Sequence, residues 1–343
     1  MRDKAGIIYS DRYLDHDTGG HVENADRLRA IRAALMDAPW SGELVWLEPR
    51  EADIGQVARI HDTEYIEYVR RACAETRGRR YLNPDTVVSP ESYGVALLAA
   101  GGVLTAIDAA ADGAIGAFFA LVRPPGHHAE AAEPLGFCLF NNVAVGARYA
   151  QRERGIERVF IFDWDVHHGN GTMHSFESDP TVYFTSFHQY PHYPGTGRAG
   201  DVGTGEGEGY TLNLPMPAGS DDADYLFLTE TIVSGVVRRF DPGLLLISAG
   251  FDAHAEDPLS GTLLTEDGYA GMMHALAAAA GADCPIGLVL EGGYNLHTLS
   301  SSAAAAVAAL LGRREPPVAA KPPSPYALKL ADELRKHHPY LRV

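Results

Sequence analysis

Seven short runs rich in apolar, β-branched and aromatic residues recur along this chain: Ala5 to Tyr9, Ala117 to Val122, Val159 to Phe162, Val182 to Phe187, Leu212 to Leu214, Leu244 to Ile247 and Ile286 to Leu290. A strand with one wet face alternates apolar and polar residues, whereas a strand covered on both faces reads as a continuous run. Helical patterns lie between several of the runs. Ser89-Pro90 reads as the N-cap and first residue of a helix continuing from Glu91 to about Ala111 and closed by Asp112-Gly113. Asn141 to Arg154 is a second helix stopped by Gly155, Asp222 to Phe240 a third, and Thr265 caps a fourth that ends at Gly281. Continuous strands separated by helices predict an α/β fold with a central, mostly parallel sheet flanked by helices. In such sheets ligands bind outside the carboxyl ends of the strands, so the residues just after each run are where function is expected.

The 343 residues suit one large domain, read here as 1–311, followed by a Pro-rich segment and a short helix from Tyr326 to about Lys336 within 312–343. No internal repeat is visible. No run of 18 or more apolar residues reads as a bilayer crossing, and the N-terminus lacks the apolar stretch of a secretory leader. Cys73, Cys138 and Cys284 are too scattered for a thiolate metal site and read as reduced, packed thiols, so a cytoplasmic location is expected. A formal charge of −17 without a basic stripe argues against direct nucleic-acid binding. An oligomer is compatible with this composition.

Four strand ends carry unusual polar groups: Leu121-Val-Arg-Pro-Pro-Gly-His-His-Ala129, Phe162-Asp-Trp-Asp-Val-His-His168, Leu246-Ile-Ser-Ala-Gly-Phe-Asp-Ala-His254 and Leu290-Glu-Gly-Gly-Tyr-Asn295. If the second stays extended, Asp163, Asp165 and His167 share a face while Trp164 and Val166 point into packing. Carboxylate and imidazole suit a divalent cation such as Zn²⁺ or Fe²⁺; a third ligand must come from another strand end, and Asp252 is the best candidate. Three ligands leave a position open, the mark of a catalytic metal. His127 and His128 flank such a pocket as candidates for general base, with Asp163 and Asn170 available to fix their tautomers. The Tyr294 hydroxyl could donate to an oxyanion at a polarised carbonyl. The glycine-rich Gly203 to Gly209 segment fails as a phosphate loop, because its glutamates repel phosphate, and is read as a mobile loop.

In that order, Arg123-Pro-Pro-Gly-His-His-Ala129, Asp163-Trp-Asp-Val-His-His-Gly-Asn170, Ala249-Gly-Phe-Asp252 and Glu291-Gly-Gly-Tyr-Asn295 resemble the zinc-dependent histone deacetylase family, including bacterial histone deacetylase-like amidohydrolases and acetylpolyamine amidohydrolases. Asn170 stands where another branch carries Asp, which is similar to the class II side. The resemblance implies an arginase-like fold and hydrolysis of an acetyl-amide to amine and acetate. It implies Asp165, His167 and Asp252 as zinc ligands, His127 held by Asp163, His128 facing Asn170 as the principal base and then acid, and Tyr294 on the substrate carbonyl. Gly136 and Phe137 look like one tunnel wall and Tyr193 like the opposite one. It also implies two potassium sites, one at Asp163, Asp165, His167, Ser186 and Phe187, the other at Phe176, Asp179, Val182 and Tyr210.

Polyamine-selective relatives carry an acidic gatekeeper near the rim; the position seven residues after Asp252 is here Leu259, and the insertion that narrows some polyamine enzymes is absent between Tyr68 and Ser89. The resemblance therefore implies an acyl-lysine or general acetyl-amide substrate, with acetylpolyamines as the alternative because Glu256 and Asp257 lie nearby. A two-manganese ureohydrolase needs more aspartates than Phe251-Asp-Ala-His254 offers, and a non-catalytic acetyl-ligand binder would not need both histidines and Tyr294.

Overall fold

The computed structural model describes residues 4–342. Its strands are β1 (Ala5–Ile8), β2 (Leu44–Leu47), β3 (Arg80–Tyr81), β4 (Val87–Val88), β5 (Ala117–Ala120), β6 (Val159–Asp163), β7 (Val182–Gln189), β8 (Thr211–Met216), β9 (Leu244–Ala249) and β10 (Ile286–Leu290). Eight of them form one parallel sheet in the order β2-β1-β5-β10-β9-β6-β7-β8; β3 and β4 make a separate antiparallel hairpin. Helices cover both faces, and β5, β6, β9 and β10 are buried along their whole length, as continuous apolar runs require. The last two strands in the sequence, β9 and β10, are inserted between β5 and β6. The four unusual strand ends therefore lie side by side at the middle of the sheet.

Caps fall where the side chains dictate. Asn141 accepts the Ala144 N–H at the head of Asn142–Arg154, which ends on Gly155 in the left-handed region, and Thr265 accepts the Asp267 N–H ahead of Glu266–Ala280. The helix expected from Glu91 begins at Ser92, because the Ser92 hydroxyl accepts the Ser89 N–H in the turn before it. Within Asp222 to Phe240 the residues Thr229–Val233 widen into a π turn, where Thr229 and Thr231 hydroxyls bond the carbonyls four residues back.

Strand β2 and the helices Asp26–Asp37, Thr63–Glu75, Asn170–Phe176 and Leu296–Leu310 are additions to the sequence reading. Strand β2 is an edge strand with only Leu44 buried, so it lacks a continuous run. The helix Ser92–Ala111 corrects another expectation: by length and composition it is apolar enough to cross a bilayer, yet it is mostly buried as a core helix here. The Gly203 to Gly209 segment folds around a turn at Gly205–Gly207, with Thr204 N–H bonded to the Glu177 carbonyl at 2.6 Å. In the C-terminal segment the helix Pro325–His337 buries Ala327, Leu330, Ala331 and Leu334 against the body, and His338 Nε2 lies 2.7 Å from the Thr211 carbonyl.

One buried ionic group ties the N-terminal region to the middle of the sheet. Arg123, just past β5, donates to both oxygens of Glu23 at 3.0 and 2.9 Å, and Arg27 donates to the same carboxylate at 3.1 Å. Arg27 also donates to the Gly293 carbonyl at 2.7 Å and to the Glu291 carbonyl, past β10. All three side chains are essentially inaccessible. Burial opposes ionisation of Glu23, but the Arg123 and Arg27 charges hold its pKa well below the usual carboxylate range. Removing the one carboxylate strands two guanidinium groups in the core. Glu23→Ala should therefore destabilise the fold by about 3–5 kcal/mol, read as a lower midpoint in urea denaturation.

Candidate active site

Past Asp163 the chain bends sharply. Asp163 Oδ1 accepts the Asp165 N–H at 3.1 Å and Asp165 Oδ1 accepts the His167 N–H at 2.9 Å. A carboxylate that takes the N–H two residues on makes an Asx turn, which competes with the strand ladder. This corrects the extended reading of 163–167, although Trp164 and Val166 do pack into the core. Freed from a single face, Asp163 turns to His127, with Nδ1 to Oδ2 at 2.9 Å.

Asp165, His167 and Asp252 converge, each offering one ligand atom within 4.8 Å of the others. His167 Nδ1 lies 3.0 Å from Asp165 Oδ1 and 3.2 Å from Asp252 Oδ2. The remaining carboxylate positions are tied down: Asp165 Oδ2 accepts the Gly292 N–H at 2.8 Å and Asp252 Oδ1 accepts the Val166 N–H at 2.9 Å. Asp252 Oδ2 is buried, with the His167 Nδ1 ion-pair contact beside it. Two buried carboxylates facing one imidazole call for positive charge between them. Burial opposes protonation of His167, yet the bonds and charges of Asp165 and Asp252 lift its pKa to about 10. A divalent cation meets the same demand with all three donors, so the set fits a metal of the oxygen- and nitrogen-binding kind. Gly292 is essential to this packing: a Cβ there would run into the Asp252 and Asp165 carboxylates.

His167 of this cluster lines a cavity of about 270 Å³, together with His127, His128, Gly136, Phe137, Tyr193, Leu259 and Tyr294. The histidine pair is split by its surroundings. Burial works against charging His127, but Asp163, Asp165 and Glu291 together lift it to about 10. Burial, with the neighbouring His127 and His167, holds His128 well below its ordinary value and therefore neutral. His128 Nδ1 faces Asn170 Oδ1 at 2.7 Å. Gly136 admits the His128 ring, which a side chain there would strike. Phe137 follows at a φ of 70°, a strained conformation for a side-chain-bearing residue. Its ring meets Tyr294 edge-on at 5.9 Å, while Tyr193 meets His128 edge-on at 5.2 Å across the cavity. Burial raises the Tyr294 pKa far above its ordinary value, so its hydroxyl remains a donor.

Several lining or supporting residues escaped the sequence reading. Asp85 lines the cavity and accepts the Tyr193 hydroxyl at 3.1 Å, but an acid in a polar loop has no signature. His192 stacks on His167 with ring centres 5.0 Å apart; its place beside Tyr193 was the available signal. Glu291 accepts the Gly126 and His127 N–H groups at 2.7 and 3.1 Å, bracing the histidine turn from β10. Asp257, expected as a nearby acid at the rim, is buried and accepts the N–H groups of Leu259, Tyr294 and Asn295. It staples two loops and is not free to meet a substrate. His168 turns away from the cluster to Thr196 Oγ1 at 2.8 Å. Of the residues expected around potassium, Asp163 and Ser186 are register partners on β6 and β7, with Phe187 next. Phe176, Asp179 and Val182 are linked by two successive turns, the Tyr210 carbonyl accepts the Phe184 N–H alongside, and Arg148 pairs with Asp179 at 2.5 Å.

Carboxylates, imidazoles and a tyrosine are thus gathered at the carboxyl edge of a parallel sheet, around a group of residues that could hold a metal ion. The model of the histone deacetylase domain matches residues 21–310. A probable deacetylase of Archaeoglobus fulgidus is 39% identical over 296 residues, covering 85% of this chain and 81% of that protein. The chloroplastic histone deacetylase 14 of Arabidopsis thaliana is 40% identical over 317 residues, 87% of this chain and 74% of that one. The crystal structure of the HDA15 HD domain superposes with a TM-score of 0.91 at 36% identity, covering 100% of this chain and 97% of that one. The chain belongs to the histone deacetylase family.

Among the described residues one such ligand cluster is present. Metal analysis after dialysis against a divalent cation should give one ion per chain, and Asp252→Ala should bring this close to zero. Two ions per chain would point to a ureohydrolase-type site.

Proposed function

We propose that this protein hydrolyses an acetylated lysine side chain, or a closely related acetyl-amide, to the free amine and acetate. The observation that carries the reading is geometric: His127, His128 and Tyr294 line one cavity together with His167, which converges with Asp165 and Asp252 as a possible metal-ligand set.

Zinc is the cation proposed for these three residues, with ferrous iron as the alternative, and it would supply Lewis acidity toward water and the substrate carbonyl. His128, neutral and hydrogen-bonded through Nδ1 to Asn170, takes a proton from the attacking water and returns it to the departing amine. His127, kept protonated by Asp163, contributes fixed positive charge beside it. Tyr294 donates its hydroxyl proton in a hydrogen bond to the oxyanion that develops on the substrate carbonyl. The Phe137 and Tyr193 rings form apolar walls suited to an alkyl chain. Potassium at the two groups around Ser186 and Asp179 is proposed on the family resemblance and would reinforce the loops that carry Asp163 to His167.

Leu259 at the cavity wall and the engagement of Asp257 with backbone N–H groups favour acyl-lysine over polyamine, because neither offers a free carboxylate to a second ammonium group. The three cysteines are buried thiols, which supports a reducing, cytoplasmic setting.

The experiment is a deacetylation panel of acetyl-lysine peptides, acetylputrescine and acetylspermidine. The peptides should be turned over with the highest kcat/KM; a preference for the polyamines would reverse the substrate assignment. In the same assay Tyr294→Phe should lower kcat by roughly 10²–10³, the loss of one oxyanion donor. His128→Ala should abolish turnover while the metal content stays at the wild-type level.

A further inference from the structure

Behind His128 and Asn170 the line of side chains continues to Glu130 and His174, which no step above employs. His128 Nδ1 meets Asn170 Oδ1 at 2.7 Å, Asn170 Nδ2 meets Glu130 Oε1 at 2.5 Å, and Glu130 meets His174 Nδ1 at 2.9 Å. Local sequence builds this line. Glu130 comes two residues after His128, and Asn170 and His174 are four apart on the helix Asn170–Phe176, so both face the same carboxylate.

The two ends of an asparagine amide have the same shape and opposite chemistry. With Oδ1 toward His128, the ring must donate from Nδ1, and Nε2 keeps the lone pair that a base needs. With the amide turned over, Nδ2 would donate to Nδ1 and the ring proton would move to Nε2, leaving no base there. An ionised carboxylate only accepts, so Glu130 can bind only the NH₂ end. Burial works against ionisation of Glu130, but its bonds to His174 and Asn170 keep its pKa below the ordinary value. A second acceptor for Asn170 Nδ2, the His128 carbonyl, is uncharged and lies at 3.3 Å, so the shorter, charged contact decides the orientation.

We propose that Glu130, backed by His174, is a positioning residue that orients the Asn170 amide and thereby fixes His128 in the Nδ1–H tautomer. This rests on the assignment of His128 as general base. The plainer account is a partly exposed Glu130–His174 ion pair of small energetic value, with side chains 24% and 43% exposed. Such a pair would leave the His128 tautomer untouched.

Long-range ¹⁵N–¹H correlation on protein labelled at histidine nitrogens reports which ring nitrogen carries the proton, with His128 assigned by its loss in His128→Ala. Wild-type protein should show Nδ1–H at His128, and Glu130→Ala should move it toward Nε2–H. Glu130→Met, which keeps the volume with only a weakly accepting thioether, should do the same. An unchanged tautomer in a folded Glu130 variant overturns the proposal. On an acetyl-lysine peptide, Glu130→Ala should lower kcat about tenfold with KM unchanged, a part of what a general base contributes. Adding Asn170→Asp to Glu130→Ala should restore kcat, because both oxygens of Asp accept and no orientation is needed; no recovery counts against the proposal. If the wild-type protein turns over no acetyl-amide, the functional reading fails, while the tautomer measurement still decides this one.

Discussion

Four carboxylates, those of Asp163, Asp165, Asp252 and Glu291, are fully buried at the ends of three neighbouring strands, and the local structure is arranged around the need to compensate them. Unpaired, such charges would be neutralised by protonation or would unfold the site. Each has its own answer. Asp163 has the charged His127, Glu291 has two backbone N–H groups of the histidine turn, and Asp165 and Asp252 share His167 and the place between them that suits a cation. The glycines beside them are a consequence, since only backbone without a Cβ can approach so closely.

That compensation also divides labour between two adjacent and chemically identical residues. His127 faces three carboxylates and is held protonated; His128, one residue on, faces an amide and two other imidazoles and is held neutral. Opposed environments on paired titratable groups are how one site comes to hold both a fixed charge and a base at one pH. On the other side of the site, the Glu23, Arg27 and Arg123 group fixes the backbone carbonyls around Gly293, and the Arg27 guanidinium lies 5.2 Å from the Tyr294 ring. Tyr294 sits after two glycines, so its position is supplied by this group and by Asp257.

The sheet and the grouping of the candidate site were legible because both leave local marks: a buried parallel strand is a continuous run, and Asp165, His167, His127, His128 and Tyr294 stand in short motifs directly behind such runs. What was hidden had no such mark. Strand β2 is half exposed, and Asp85 looks like any loop acid. Asp257 read as a rim charge, but its function is set by N–H groups from a different loop. The bend after Asp163 was missed because periodicity treats side chains as passive, whereas an aspartate can capture the backbone two residues on.

The sequence by itself determined the kinds of element, the residues at their ends and the donor types that suit a divalent cation. Only the tertiary structure decided that β9 and β10, made last, insert between β5 and β6. That order brings ends far apart in the chain into one cavity. Strand order follows from which apolar faces pack best together over the whole domain, a global property that no local pattern encodes.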